Sequence, residues 1–189
     1  MMTHSTPSFT SKVESAFSFL ARDRGCAMNS DVENHVVTFT NDSFTITVFR
    51  DPGSYIIYAE FRRKDTGEKF LLHEILRALA SDEESQCQCS GADEQKTSRC
   101  LNQLAQLCER HLQKFLDMDE STLEKVASTA KSMREQYTLE AQYGAIKDRA
   151  NQAWDTKDWQ TARELYEEAK PSLSDAEKRR LDFLLKKSP

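Results

Sequence analysis

Apolar residues recur at helical spacing near the carboxyl end of the chain, between Ile146 and Leu185. Steps of three and four residues define the apolar face of a first helix, which consists of Ile146, Ala150, Ala153 and Trp154. After the polar segment 155–158, a second helix places five residues on its inward face: Trp159, Ala162, Leu165, Tyr166 and Ala169. Because alanine has almost no side chain, we expect the two helices to approach closely at Ala150 and Ala162. The pattern predicts a helical hairpin.

A third helix follows this hairpin. Pro171 ends the second helix, because proline lacks a backbone donor and cannot continue a helix interior. Ser174 and Glu177 have the spacing of a capping box, and the apolar residues Leu181 and Leu184 come after them. The carboxyl-terminal part of the chain is therefore predicted to be entirely helical.

Alternating apolar and polar residues in the first half of the chain predict three strands, at 35–40, 43–50 and 55–62. The tetrapeptide Asp51-Pro52-Gly53-Ser54 separates the second strand from the third and is a strong turn signal. Such short connections favour an antiparallel meander, with one packed face and one partly wet face.

Helices are predicted on either side of these strands. Ser11 and Glu14 have capping-box spacing for a helix over 11–23, and Gly25 is a suitable stop. The segment 70–79 has a wide apolar stripe, so we expect it to form a helix that covers the sheet.

The acidic segment 81–96 is predicted to be a solvated, mobile loop, followed by a long helix to about residue 116. A second capping box, Ser121 with Glu124, starts another helix. We expect three residues of that helix to face the hairpin and extend its core: Ala127, Ala130 and Met133.

These elements together predict an α+β fold in two domains. Residues 1–118 are expected to form an α+β domain with a three-stranded meander covered by helices. Residues 119–189 are expected to form a helical domain that contains the hairpin.

The hairpin resembles a tetratricopeptide repeat. With Asp158-Trp159 as the turn, the matching positions are the small residues and the aromatic residue Ala150, Ala162, Tyr166 and Ala169. The pattern departs at Arg149, at 156–157 and at Ser174, where leucine, glycine and proline are usual. The resemblance implies a peptide-binding surface, whereas an ordinary hairpin that completes a core is the alternative. A single repeat cannot bury its own apolar face, so the resemblance also implies packing against other helices, a partner or another copy.

The order of elements over residues 13–116 is similar to that of small bacterial proteins, some of which resemble immunity proteins of interbacterial toxin systems. The similarity lies in the pattern of one helix, the three strands and the apolar segment that begins Phe70-Leu71-Leu72. It implies an intracellular inhibitor that binds one toxin, often through an acidic face. The acidic residues Asp82, Glu83 and Glu84 are the candidates for that face, although a solvated linker explains them equally well.

Composition narrows the function classes. The net charge of −5 argues against nucleic-acid binding, which favours a basic surface. No apolar run approaches the length of a membrane span, and the first ten residues contain no hydrophobic segment of the secretory kind. We therefore expect a soluble, cytoplasmic protein with no nucleic-acid or membrane partner.

The five cysteines are Cys26, Cys87, Cys89, Cys100 and Cys108. An odd count without a signal peptide favours reduced thiols. Cys87 and Cys89 raise the question of a zinc site, but structural zinc sites use two matching pairs at wider spacing. Buried or loop thiols explain the cysteines better, and no metal or other cofactor is predicted.

No catalytic motif is present in the sequence. There is no glycine-rich phosphate loop, no His-Glu-x-x-His and no Gly-x-Ser-x-Gly. His35, His73 and His111 have no nucleophile or carboxylate at a telling interval. The protein is therefore not expected to be an enzyme.

The sequence favours a protein-binding module, either an immunity-type inhibitor or an adaptor. The candidate contact residues are Trp154, Trp159, Tyr166, Tyr55 and Tyr58, together with the acidic residues Asp82, Glu83 and Glu84. The alternative is a small enzyme or ligand-binding domain with a pocket between sheet and helices.

Overall fold

The computed structural model describes residues 8–87 and 89–187, and the chain divides into two compact units. The first unit is Met1–Ala130 and the second is Lys131–Pro189. The division falls inside the helix Glu120–Asp155, later than the predicted boundary at residue 118. The first turns of that helix belong to the first unit, because Leu123, Val126 and Ala130 are buried in its core.

A six-stranded antiparallel sheet lies in the first unit. Its strands are β1 Ala27–Asp31, β2 Val36–Thr40, β3 Phe44–Arg50, β4 Ile56–Arg63, β5 Lys69–Leu71 and β6 Cys89–Ser90. The first five strands are neighbours in chain order, and β6 pairs with β4. The α+β class is confirmed, and the three predicted strands correspond to β2, β3 and β4 of the larger sheet.

The sequence pattern gave no signal for the additional strands. All five residues of β1 are exposed, so no apolar alternation marks this strand. Strand β5 contains Phe70 and Leu71, which were predicted to be helical, and the helix α3 begins one residue later, at Leu72. Strand β6 has only two residues and is formed by pairing with β4.

One face of the sheet is apolar. In the register of β2, β3 and β4, Phe39 faces Ile46 and Ile46 faces Phe61. All three side chains are buried, whereas Thr38 and Thr47 on the opposite face are half-buried. The predicted division into a packed face and a partly wet face is confirmed.

Four helices of the first unit pack around this sheet: α1 Phe9–Ala16, α2 Ser18–Arg24, α3 Leu72–Ala78 and α4 Glu94–Leu116. The rings of Phe115 on α4 and Phe61 on β4 make an edge contact at 5.3 Å. Gly25 ends α2 in the left-handed region with φ of 63°, as predicted. The predicted Ser11–Glu14 box is wrong, because Ser8 caps α1 and accepts from the amide of Ser11.

The acidic segment 81–96 has more structure than predicted. It contains the 3₁₀ turn Glu84–Cys87, strand β6 and the start of α4. A disulfide joins Cys89 to Cys100, with the two Cα atoms 5.5 Å apart. The expectation of reduced thiols is wrong for this pair, because β6 and α4 bring the two residues together. Cys26, Cys87 and Cys108 are free and buried.

The second unit consists of the remainder of helix α5 Glu120–Asp155 and of two shorter helices, α6 Trp159–Glu168 and α7 Asp175–Lys187. The predicted three consecutive helices are therefore present. Their shared core is formed by Ala150, Ala153, Ala162, Leu165, Tyr166, Ala169, Leu173, Leu181 and Leu184. Ala150 and Ala162 are fully buried, as close helix packing requires.

Two predictions about helix α5 are wrong, one about its cap and one about its packing. Asp119 caps the helix by accepting from the amide of Thr122 at 2.8 Å, so Ser121 does not act with Glu124. Ala127 and Ala130 pack in the core of the first unit and do not extend the hairpin core, and Met133 is buried but belongs to neither core. The capping box before α7 is confirmed: Ser174 and Glu177 exchange hydrogen bonds through backbone amides and side chains.

Replacing both cysteines in a Cys89→Ser/Cys100→Ser variant tests the disulfide. The bridge spans a sequence separation of 11 residues. Closing a loop of that size restricts the unfolded chain, so we expect the free energy of unfolding to fall by about 3 kcal/mol under oxidising conditions. Urea denaturation followed by circular dichroism measures the change.

The control is the same comparison in a reducing buffer, where the wild-type bridge is open. The difference between wild type and variant should then shrink to the cost of the two serines alone. An equal difference in both buffers would show that the bridge contributes nothing.

Candidate partner-binding surface

Three aromatic side chains of the second unit are in mutual contact. Trp154 lies in the last turn of α5, Trp159 is the first residue of α6 and Phe183 lies on α7. The Trp154 ring centroid is 5.3 Å from that of Trp159 and 5.8 Å from that of Phe183, both in edge-to-face geometry. We call these three residues the aromatic cluster.

The turn between α5 and α6 brings the two tryptophans together. Lys157 adopts a left-handed conformation with φ of 62°, and the amide of Asp158 donates to the carbonyl of Ala153 at 2.9 Å. The Asp158 side chain caps α6 by accepting from the amide of Thr161. This reversal of the chain places Trp159 beside Trp154.

The aromatic cluster is partly open to solvent. Trp159 is 39% exposed and Phe183 is 42% exposed, while Trp154 is half-buried between them. Contiguous exposed aromatic rings are uncommon on protein surfaces and are typical of interaction sites. The cluster therefore offers apolar area that a partner could bury.

A polar network lies next to the aromatic cluster and joins all three helices. The Tyr166 hydroxyl donates to Asn151 Oδ1 at 2.7 Å, and Arg180 donates to the same oxygen at 2.7 Å. Asn151 in turn donates through Nδ2 to Glu177 at 3.1 Å. The guanidinium carbon of Arg180 lies 5.4 Å from the Trp154 ring centroid, a cation–π contact.

Burial alone would raise the pKa of Glu177. Hydrogen bonds from Ser174 and Asn151 outweigh that effect, so the pKa of this carboxyl lies below its ordinary value. Glu177 is therefore ionised at neutral pH, and the network contains a paired carboxylate.

Tyr166, a predicted contact residue, is not on the surface. Its side chain is 0% exposed and its hydroxyl is used within the network. Trp154 and Trp159 are brought together, and Phe183 is a surface residue that the prediction missed. The available signal was its position: Phe183 falls between Leu181 and Leu184, off the apolar stripe of α7.

The two predicted tyrosines of the first unit have different environments. Tyr55 is 51% exposed and lies in the turn before β4, with φ of 58°. Tyr58 is half-buried on β4, where its ring stacks on Phe49 at 5.4 Å and lies 6.2 Å from the ring of His73. Only Tyr55 presents a largely free ring.

The predicted acidic face is largely neutralised by neighbouring cations. One oxygen of Glu83 lies 2.6 Å from His111 Nε2, and the other contacts Arg110. Glu84 pairs with Arg77 at 3.0 Å. Asp82 is exposed. Of the three predicted acidic residues, Asp82 alone has no ion pair within the described part of the chain, because α3 and α4 supply cations to the other two.

His111 is neutral despite its contact with Glu83. Burial lowers the pKa of His111, and Lys114 and Arg110 lower it further. The imidazole donates through Nε2 to Glu83, and its buried Nδ1 has no hydrogen-bond partner. Protonation would bury an N–H at Nδ1 without an acceptor, so the neutral form is favoured even beside a carboxylate.

The free thiols near this histidine are in an environment that opposes ionisation. Burial raises the pKa of Cys87 to about 12, and it raises the pKa of the fully buried Cys108 well above the ordinary value. Reactive cysteines have a lowered pKa instead. Among residues 8–87 and 89–187, no group of three or more potential ligands is arranged to hold a metal ion.

A cavity of about 410 Å³ lies among helix ends of the first unit. It is lined by Leu79, Gln113, Lys114, Asp117, Met118, Asp119 and Thr122. This lining contains neither histidine nor cysteine, and it comes from helix ends and the segment between α4 and α5.

No protein family, curated protein or solved structure matches the chain. The two resemblances described above therefore stay predictions. In the described part of the chain, none of the helices has the length and apolarity needed to cross a membrane.

The role of Tyr166 can be tested with a Tyr166→Phe variant. Loss of the hydroxyl removes its hydrogen bonds to Asn151 and Arg180, so we expect the second unit to lose about 1–2 kcal/mol of stability. Both tryptophans of the chain lie in this unit, so the tryptophan fluorescence transition in urea reports its unfolding.

Tyr143→Phe is the matched control. Tyr143 also packs against the core of the second unit, but its hydroxyl has no hydrogen-bond partner among the described residues. We expect the second unit of this variant to be as stable as that of the wild type. Equal urea midpoints for Tyr166→Phe and Tyr143→Phe would show that the network adds nothing to the stability of the second unit.

His111 should make stability depend on pH. Because its pKa is lowered in the folded protein, the unfolded chain binds a proton first as the pH falls through about 6.5. We expect the free energy of unfolding to be highest above that pH and to fall below it, until His111 titrates in the folded state too. Urea denaturation of the wild type and of His111→Gln between about pH 5 and pH 8 measures the difference.

Glutamine keeps a donor toward Glu83 but does not titrate. The variant should therefore show a flatter pH profile, with the remaining slope due to groups common to both proteins. Parallel profiles would show that His111 does not titrate differently on folding.

Proposed function

We propose that the protein is a protein-binding module, an immunity-type inhibitor or an adaptor, and that the aromatic cluster is its contact surface. The observation that carries the proposal is the contact of Trp154, Trp159 and Phe183 at a solvent-accessible surface. Tryptophan is among the residues that contribute most to binding energy at protein interfaces.

The rings are held in place before any partner arrives. Trp154 contacts both other rings and the guanidinium of Arg180, which is itself held by Asn151. Side chains that are already ordered lose little conformational entropy on binding. This preorganisation supports a binding role for the cluster.

The first unit offers weaker candidates for a functional site. The carboxylates Glu83 and Glu84 are paired with cations of their own chain, so the acidic segment is a weaker candidate for the contact surface than the aromatic cluster. The raised pKa values of Cys87 and Cys108 do not favour nucleophilic chemistry at these residues. The resemblance of the hairpin to a tetratricopeptide repeat agrees with a binding role.

Capture of a partner by the full-length chain tests the proposal. We expect the wild type to retain a specific protein from a lysate of the source organism, identified by mass spectrometry. Trp159→Ala and Phe183→Ala should each weaken retention about tenfold or more, because each removes a large part of the exposed apolar area.

Tyr137→Ala is the matched control, because Tyr137 is 67% exposed on α5 and lies outside the aromatic cluster. Circular dichroism of all variants checks that they are folded. If Tyr137→Ala weakened retention of the partner as much as Trp159→Ala and Phe183→Ala do, the aromatic cluster would not be the contact surface. Failure of the wild type to retain any protein would contradict the proposed function itself.

A further inference from the structure

The charges around the aromatic cluster are distributed asymmetrically. Beyond its first turn, helix α7 has five cations and a single acid in its sequence, although the chain as a whole has a net charge of −5. The cations are Lys178, Arg179, Arg180, Lys186 and Lys187, and the acid is Asp182. Two further acids, Asp175 and Glu177, lie in the first turn, so α7, the helix that contributes Phe183, has an excess of two positive charges on an acidic protein.

Two of these cations flank Phe183 on the surface of α7. Arg179 precedes Phe183 by four residues and Lys186 follows it by three, so each lies about one helical turn away on the same side of the helix. Both are exposed, and neither forms an ion pair with residues in the described part of the chain. Asp182 lies one helical turn from each of them without forming an ion pair, so their charges are available to a partner.

A third cation, Arg180, is fixed in orientation. Its NH1 atom donates to Asn151 and to the Tyr166 hydroxyl, while its guanidinium lies over the Trp154 ring. Among the described residues, NH1 is the only nitrogen of this side chain with a hydrogen-bond partner. A planar guanidinium held in this way is suited to a carboxylate, which it can bind with its remaining donors.

The nearby carboxylates show where a partner's negative charge would fit. Asp155 and Asp158 lie at the turn between α5 and α6, and Asp158 is already used to cap α6. Asp155 and Glu177 both interact with the charge of Arg180, so Arg179 and Lys186 are the cations on α7 beside Phe183 that no ion pair of the described chain satisfies. The cations therefore favour a negative charge on the α7 side, beside Phe183.

We infer that the aromatic cluster binds a partner segment in which an apolar side chain lies next to carboxylates. The apolar side chain packs on Trp159 and Phe183, and the carboxylates face Arg179, Arg180 and Lys186. This inference rests on the proposed function and adds to it the chemical class of the partner segment. Single-stranded nucleic acid also combines flat groups with negative charge, but the net charge of −5 opposes it.

Labelled synthetic peptides test this inference on the full-length chain. Each peptide has a central Phe-Leu pair, flanked on both sides by glutamates, by glutamines or by lysines. We expect fluorescence anisotropy to show that the glutamate peptide binds about tenfold or more tightly than the lysine peptide, with the glutamine peptide between them. Its affinity should weaken as salt is added, since ions screen exposed charges.

Charge reversal on α7 locates the site. In Arg179→Glu/Lys186→Glu we expect the glutamate peptide to lose about tenfold in affinity and the lysine peptide to gain. Lys178→Glu is the control, because Lys178 is exposed on the same helix but faces away from Phe183. The control reverses one charge and the double variant reverses two, so a control that shows half the double variant's change in binding free energy, or more, would mean that only net charge matters, which would overturn the inference.

Three further results would also overturn it: equal affinity for the three peptides, no binding of the glutamate peptide, or preferential binding of a single-stranded oligonucleotide. The lysate experiment separates these results from the proposed function. If the wild type retains a protein and Trp159→Ala releases it while the glutamate peptide fails, the binding role stands and the acidic class of segment is wrong.

Discussion

The hydrogen bonds of Asn151 join the three helices of the second unit. This one amide on α5 accepts from Tyr166 on α6 and from Arg180 on α7, and it donates to Glu177. The surrounding core is built from alanines and leucines, which leave the relative rotation of the helices weakly specified. The network fixes that rotation, and with it the position of Arg180 against Trp154. The proposed contact surface therefore depends on the half-buried amide of Asn151.

Much of the fold could be predicted because its periodic elements bury one face. Strands β2 to β4 alternate, and the hairpin helices repeat at three and four residues, so burial leaves a readable pattern. Strands β1 and β6 leave no such pattern, because β1 is exposed throughout and β6 is only two residues long. The Cys89–Cys100 disulfide could not be predicted from the sequence either, because it depends on where β6 pairs along β4.

The candidate site was harder to predict than the fold, because a side chain's exposure depends on tertiary packing. Trp154 and Tyr166 look alike in the sequence as aromatic residues of a hairpin, yet Trp154 is half-buried and Tyr166 is fully buried. The ion pair of Glu83 could not be predicted from the sequence for the same reason. Its partners Arg110 and His111 are on α4, far along the chain, so the sequence does not reveal that this carboxylate is paired within the protein.

Helix α5 passes from one unit into the other without interruption, and this has a consequence for dissecting the protein. Its early residues Val126 and Ala130 complete the core of the first unit, and its late residues Ala150 and Ala153 form that of the second. A cut at residue 130 would sever the backbone ladder of a single helix and leave amides and carbonyls unpaired at the new ends. Fragments that behave as independent proteins would each have to retain an overlapping portion of α5.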